Sequence, residues 1–240
     1  MKTSQLPSFR YEKKLWKCGF KFVAGIDEVG RGCFAGPVVA ATVVFRPQNP
    51  KSKFQIPNKV IINDSKKLSA RQRERADGWI KENAFAWGIG EAPVAIINRL
   101  GMGKATKMAF RKAVLNVNNR LQSKSKSKIE YLLADAFFIP YVPGLPTRRR
   151  KDRNGRFKKN PKGRQQAIID GDQKSFSIAA ASIIAKVYRD RLMLNLSKQS
   201  GYKKYGWGRN KGYGTAEHRE IILKYGITRY HRKQFVKNFI

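Results

Sequence analysis

The chain has 240 residues, of which 51 are Lys or Arg and 16 are Asp or Glu, for a formal net charge of +35. A hydrophobic content of 41% suffices for an ordinary core, which excludes a disordered polycation, and the length fits one domain or one domain with a small appendage. No run is apolar enough to span a bilayer, the N-terminus lacks a signal-peptide core, and the 2 cysteines have neither metal-ligand spacing nor a disulfide framework, so a reducing cytoplasm is expected.

Residues 22–28 and 38–46 read as strands joined by a Gly-rich turn, and 47–57, with Pro47, Pro50 and Pro57, reads as a loop. The short apolar run Val60-Ile61-Ile62 leads through Asn63-Asp64-Ser65-Lys66-Lys67-Leu68-Ser69 into a helix at 70–83, with Ser69 as its N-cap. Residues 85–91 alternate as a strand. Ala105, Met108, Ala109, Ala113 and Val117 recur at helical spacing and predict an amphipathic helix over 104–121. Tyr131-Leu132-Leu133-Ala134 is a buried strand that ends at Asp135. Residues 146–165 hold ten Lys or Arg and one Asp, a composition suited to an arm that tracks phosphates rather than to a folded element. A short strand at 167–169 and a long helix at 177–197 follow, then a glycine- and tyrosine-rich end with one helix at 216–225. Strands and helices alternate, there are no internal repeats, and the class is α/β.

So basic a surface predicts a nucleic acid as partner, with salt adaptation or attraction to a membrane surface as the bland alternatives. Against it, the acids are few and their placement is informative. Asp27 and Glu28 end the run Phe22-Val23-Ala24-Gly25-Ile26, with Gly30-Arg31-Gly32 and then Gly36-Pro37 close behind. Such strand ends bind ligands in α/β sheets, and carboxylates that repel a phosphate directly can hold it through divalent cations. Successive strand residues point to opposite faces, so this pair converges only if the chain bends after Asp27 or Glu28 reaches round the edge. Asp135 is a second strand-end acid, or else a loop cap. Asp190 follows Ser182 and Lys186 at steps of four, which places all three within roughly 80° on one helix face. That face reads as an active-site wall, or as an ordinary Lys186–Asp190 pair. Phosphodiester hydrolysis by two metals about 3.5–4 Å apart needs such a set of carboxylates. Lys66, in a turn beside the site, would hold a phosphate as a point charge. Gly25 to Arg31 lacks the Lys-Ser/Thr of a phosphate loop. His218 and His231 have no Ser or Cys partner and read as structural or phosphate-facing.

The stretch from Gly25 to Ala41 resembles the opening signature of ribonuclease HII, the type 2 ribonuclease H family. The likeness continues through Asn63 to Ser69, Gly171-Asp172, Ile178 to Arg191, Asn210 to His218, and His231 to Phe235, in the family's order. It implies a ribonuclease H-like α/β fold: a mixed central β-sheet flanked by helices, with a small helical C-terminal part. A catalytic domain would occupy 1–198, with 146–165 as an inserted basic loop. A substrate-contacting region at 199–240 would pack on the same domain. The resemblance carries over Asp27, Glu28, Asp135 and Asp190 as catalytic, metal-binding carboxylates for two divalent cations, Mg²⁺ or Mn²⁺. It makes Gly30, Arg31 and Gly32 the backbone that reads the ribose 2′-hydroxyl, the group that distinguishes RNA from DNA. Tyr213 would stack on the following deoxyribose, with Lys66, Ser182 and Lys186 as further nucleic-acid contacts. The implied activity is an endoribonuclease that cuts the RNA strand of RNA/DNA hybrids. It would also cut 5′ of ribonucleotides embedded in duplex DNA, leaving 3′-hydroxyl and 5′-phosphate ends, as in ribonucleotide excision repair. A cytoplasmic monomer with no membrane partner is expected, and Gln234 to Ile240 faintly resembles a sliding-clamp-binding peptide. A basic binding module would match the composition but leaves the acids unexplained. A DNA-only nuclease would have no use for Gly30-Arg31-Gly32 with Tyr213. The chain departs from the family in the 146–165 insertion, in its high charge, and in Cys33, where proline is commoner. The extra N-terminal domain of ribonuclease HIII is not expected, and Asp190 rather than Glu favours type HII.

Overall fold

A computed structural model describes residues 6–47, 56–136, 138–145 and 164–238, so nearly all of the basic segment 146–165 lies outside the described residues. Five strands form one sheet in the order β3-β2-β1-β4-β5. They are β1 (Val23–Val29), β2 (Val38–Phe45), β3 (Ala86–Ala92), β4 (Tyr131–Asp135) and β5 (Gln165–Ile168). β1 pairs antiparallel with β2, as β2 does with β3, whereas β1 with β4 and β4 with β5 are parallel. The sheet is therefore mixed. Every residue of β2 is buried, as its unbroken apolar run requires when helices cover both faces.

Helix α4 (Met102–Ser125) packs on one face, forming a core with Ala24, Ile26, Val38 and Leu132. Helices α2 (Ala70–Asn83) and α5 (Phe176–Ser197) pack on the other, against Val39, Ala41 and Val43. Small residues set the depth of these contacts. A Cβ at Gly25 would stand 2.2 Å from the Ser177 carbonyl carbon of α5, and one at Gly90 would stand 2.0 Å from the Ala109 oxygen of α4. α4 also seals the outer strand. Lys112 donates to the Glu91 carbonyl at 3.0 Å, Asn116 to that of Ile89 at 2.6 Å, and Lys124 to that of Phe85 at 3.1 Å. The Arg120 guanidinium lies 4.1 Å from the Trp87 ring centre between them. Four helical residues rise about 6 Å and two strand residues about 6.6 Å, so a four-residue stripe stays in step with alternate positions of β3. Carbonyls that would otherwise recruit another strand are occupied.

Helix α2 begins where the sequence places it, with a capping box in which Ser69 accepts from Gln72 N and Gln72 accepts from Ser69 N. α4 is longer than its predicted 104–121, and β5 lies two residues earlier than its predicted start at 167. Helices α1 (Arg10–Lys17) and α3 (Val94–Leu100) were not predicted. In α1 the charges hide an inward stripe of Tyr11, Leu15 and Trp16. Its buried Glu12 accepts from the Ser175 hydroxyl at 2.6 Å and Ser177 N at 3.0 Å. A carboxylate there suits the positive N-terminal end of α5.

Beyond α5 come α6 (Trp207–Asn210), α7 (Ala216–Tyr225) and α8 (Lys233–Val236). Tyr205, Trp207, Ile222 and Val236 make a small core with Met193 and Leu196 of α5. Val236 is buried there, inside the segment with the clamp-peptide likeness, and residues 239–240 lie outside the described residues. Among the described residues no helix is long and apolar enough to cross a membrane.

Candidate active site

Three parallel strands end on the same rim of the sheet, and each delivers an acid. Ile26 of β1 pairs with Ala134 of β4, which brings the next residues, Asp27 and Asp135, abreast. Asp135 pairs in turn with Ile168 of β5, from which Ile169-Asp170-Gly171 leads to Asp172. One oxygen from each of Asp27, Asp135 and Asp172 lies within 4.8 Å of the others. Asp27 and Asp172 are buried, and Asp135 is partly so. Backbone donors fix the carboxylates. Asp27 accepts from Glu28 N at 2.7 Å and Asp135 from Gly171 N at 2.7 Å. Ala136 and Asp170, which flank Asp135 and Asp172, both hold left-handed backbone, with φ of 56° and 53°. Alanine has no local reason to adopt it; such strain gathers at functional sites.

Burial and mutual repulsion push these acids upward. The Asp27 carboxyl lies well above the usual carboxylate range, through burial first and then the charges of Glu28 and Asp135. Burial also raises Asp135, against the Gly171 hydrogen bond and the Lys66 ammonium, which lower it. Asp172 is pushed up to about 6 by burial and by the charges of Asp64 and Asp135. Glu28 is raised by burial and held down in part by Arg31, whose guanidinium lies 3.4 Å away. The strand does not bend after Asp27. β1 stays in register with β2 through Glu28↔Ala40 and Val29↔Val39, so Glu28 projects to the face opposite Asp27, at the rim of the cluster. Crowded, hard oxygen donors of this kind fit a small divalent cation such as Mg²⁺ or Mn²⁺.

Asp190 is not in this group. Its carboxylate takes an ion pair from Lys186 at 2.9 Å and another from Arg73 at 3.7 Å. Arg73 also donates to the Ser65 carbonyl at 3.0 Å and to that of Leu68. Asp190 therefore anchors, through Arg73, the turn that carries Ser65 and Lys66. Ser182 donates to the Ser65 hydroxyl at 2.8 Å and is itself buried, with its hydroxyl acting to lower the Asp27 pKa. Lys66 is exposed, with its charge felt at Asp135 and Asp172. The sequence pattern alone gives Asp172 no role, because the acid that directly follows the apolar run Ala167-Ile168-Ile169 is Asp170, two residues short of it.

The Gly30-Arg31-Gly32 loop stands beside the acids, and two buried arginines mould it. Arg189 donates to the carbonyls of Pro37 at 3.0 Å, Lys211 at 2.9 Å and Ala35 at 2.9 Å. Arg232 donates to Arg31 at 2.9 Å, Gly36 at 2.7 Å and Pro37 at 3.0 Å. Gly30 has φ +90°, and a Cβ there would meet Arg189 Nε at 2.3 Å; no other residue fits. Around Gly32 the space is open. Tyr213 is 40% exposed, with Lys186 Nζ 5.6 Å and the Arg189 guanidinium 6.0 Å from its ring centre. The site thus joins an acid cluster, an exposed lysine, a backbone loop and an accessible aromatic ring.

The family model described as Ribonuclease HII matches residues 24–238. A ribonuclease HII of Caldanaerobacter subterraneus subsp. tengcongensis is 43% identical over 230 residues, covering 96% of this chain and 80% of that protein. Among solved structures, the ribonuclease H2 of Pyrococcus horikoshii OT3 superposes with a TM-score of 0.60 at 22% identity, over 91% of this chain and 96% of that one. Bst-RNase HIII in complex with Mn²⁺ superposes with a TM-score of 0.61 at 20% identity, over 90% of this chain and 68% of that one. These two likenesses are of fold.

Proposed function

The chain belongs to the ribonuclease HII family and is a metal-dependent ribonuclease. From that premise we propose that it cuts the RNA strand of RNA/DNA hybrids and cuts 5′ of ribonucleotides embedded in duplex DNA, by a two-metal-ion mechanism leaving 3′-hydroxyl and 5′-phosphate ends. The observation that carries the proposal is the convergence of Asp27, Asp135 and Asp172 within 4.8 Å, beside a moulded backbone loop. We assign the metal ligands to those three acids together with Glu28 at the rim. Divalent cations, when bound there, supply charge neutralisation at the scissile phosphate and acidify water. Mn²⁺ in a solved structure of the same fold supports that cation or Mg²⁺.

The chain's own groups do the rest. The +35 net charge draws the duplex in without regard to sequence. The exposed Lys66 ammonium holds a phosphate next to the acids. The loop from Gly30 to Gly32 offers backbone groups to the 2′-hydroxyl, and the Tyr213 ring stacks on the neighbouring sugar. Asp190 keeps Lys66 in place through Arg73. Both cysteines are free, as suits a reducing cytoplasm, and a monomer suffices because every group named belongs to one chain.

The test uses three duplexes, each with Mg²⁺, with Mn²⁺ and with a chelator: one with a single ribonucleotide, one RNA/DNA hybrid, and one all DNA. The first two are expected to be cut with 3′-hydroxyl ends, and the third bound and left whole. Cleavage of the all-DNA duplex, or turnover under chelator, would refute the reading.

A further inference from the structure

The loop and Tyr213 come from distant parts of the chain, and a buried histidine pair spans the gap between them. On one side, His231 forms an antiparallel bridge with Ala35, Tyr230 accepts from Gly36 N at 2.9 Å, and Arg232 N donates to Phe34 at 2.8 Å. On the other, His218 Nδ1 lies 2.8 Å from the Tyr213 carbonyl oxygen. The two rings meet at Nε2–Nε2, 3.2 Å apart, and both residues are buried.

Their partners settle where the protons sit. The Thr228 N–H donates to His231 Nδ1 at 2.8 Å, so His231 carries its proton on Nε2, aimed at His218. His218 Nε2 must then accept, and it accepts from the Trp207 indole N–H as well, at 3.1 Å. That leaves the His218 proton on Nδ1, donated to the Tyr213 carbonyl. Each bond runs the same way, from Thr228 through both rings to Tyr213, and a proton added to either ring would set donor against donor. Burial, and then the charge of His218, keep His231 down at about 4, and burial lowers His218 against the Tyr213 carbonyl and Glu217, which raise it.

We infer that His218 and His231 are positioning residues that set where Tyr213 stands relative to the loop from Gly30 to Gly32. The inference rests on the proposed reading of a single embedded ribonucleotide. A lone ribonucleotide offers one 2′-hydroxyl and one junction, so loop and ring must be spaced for both at once. A long hybrid offers many registers and tolerates a displaced ring. Misplacements near 1 Å can cost up to 100-fold.

The test compares kcat/KM on a single-ribonucleotide duplex and on a hybrid, with melting temperature measured alongside. His218→Leu and His231→Leu are expected to lower the single-ribonucleotide value about tenfold more than the hybrid value. His218→Asn keeps a donor for the Tyr213 carbonyl, and His231→Gln keeps one for His218. Both are expected to hold the substrate ratio within about threefold of wild type while losing stability. These variants decide the matter if the leucine ones do not fold. A ratio unmoved by the leucine variants, or one that falls in step with melting temperature across all variants, would overturn the inference. No cleavage of the single-ribonucleotide duplex by the wild-type chain would instead remove the reading beneath it.

Discussion

Placing one methyl group on Gly30 and another on Gly32 separates the architecture of the loop proposed to read the ribose from its use. Alanine at position 30 must hold φ +90°, which costs roughly 1–2 kcal/mol for an L residue. Its Cβ would lie 2.3, 2.8 and 2.9 Å from Nε, Cδ and Cζ of Arg189, so the guanidinium must leave. Arg189 holds three carbonyls, and losing even one bond to a charged donor costs about 1.5–3 kcal/mol. The total is about 4 kcal/mol, or near 10 °C in melting temperature for a domain of this size. A methyl added at Gly32 would meet no atom within 4 Å, and the φ there is not left-handed, so Gly32→Ala is expected to melt with the wild type. Yet if that backbone approaches the ribose, the same methyl enters the substrate's space, and cleavage is expected to fall at least tenfold. Differential scanning fluorimetry and single-turnover cleavage read the two effects. Gly32→Ala with full activity, or Gly30→Ala with wild-type melting, would refute this loop's assignment.

Gly90→Ala would drive a methyl into the Ala109 carbonyl at 2.0 Å and lift α4 from β3, so urea unfolding is expected to show a loss of roughly 3 kcal/mol or more. The histidine pair sets a pH dependence. Folded pKa values below the unfolded 6.5 mean that the unfolded chain takes protons first. The pair's contribution is therefore complete above pH 6.5 and is lost as pH falls toward about 4. Because the raised acids act in the opposite sense, the measurement is the difference between wild type and His231→Leu: the stability gap at pH 7.5 is expected to narrow at pH 5, and a constant gap would contradict it.

What was legible in the sequence was what local chemistry encodes. The Ser69–Gln72 capping box marks the start of α2, and the unbroken apolar run of β2 announces burial on both faces. Asp27 and Asp135 were visible because each closes an apolar run. Proposing Asp172 as a ligand needed strand order, which is not local: only the parallel pairing of β4 with β5 carries Asp172 to the same rim. Asp190 drew notice through its spacing from Lys186. That spacing reported an ion pair, and Arg73, which completes it, lies over a hundred residues away. Arg189 and Arg232 were hidden among 51 cations, since nothing near them in sequence tells a buried arginine from a solvated one. Glu28 was expected to need a bend or a reach round the edge; regular pairing of β1 excludes the bend.

Calorimetric Mn²⁺ titration of Asp172→Asn and Asp190→Asn, with cleavage measured on the same preparations, tests the assigned metal site most directly. Asp172→Asn is expected to weaken Mn²⁺ binding at least tenfold and to abolish cleavage, because it removes one of three converging oxygens. Asp190→Asn is expected to bind Mn²⁺ as the wild type does and to lose activity only through a loosened Lys66 turn. Wild-type binding by Asp172→Asn, with binding lost in Asp190→Asn, would contradict the assignment.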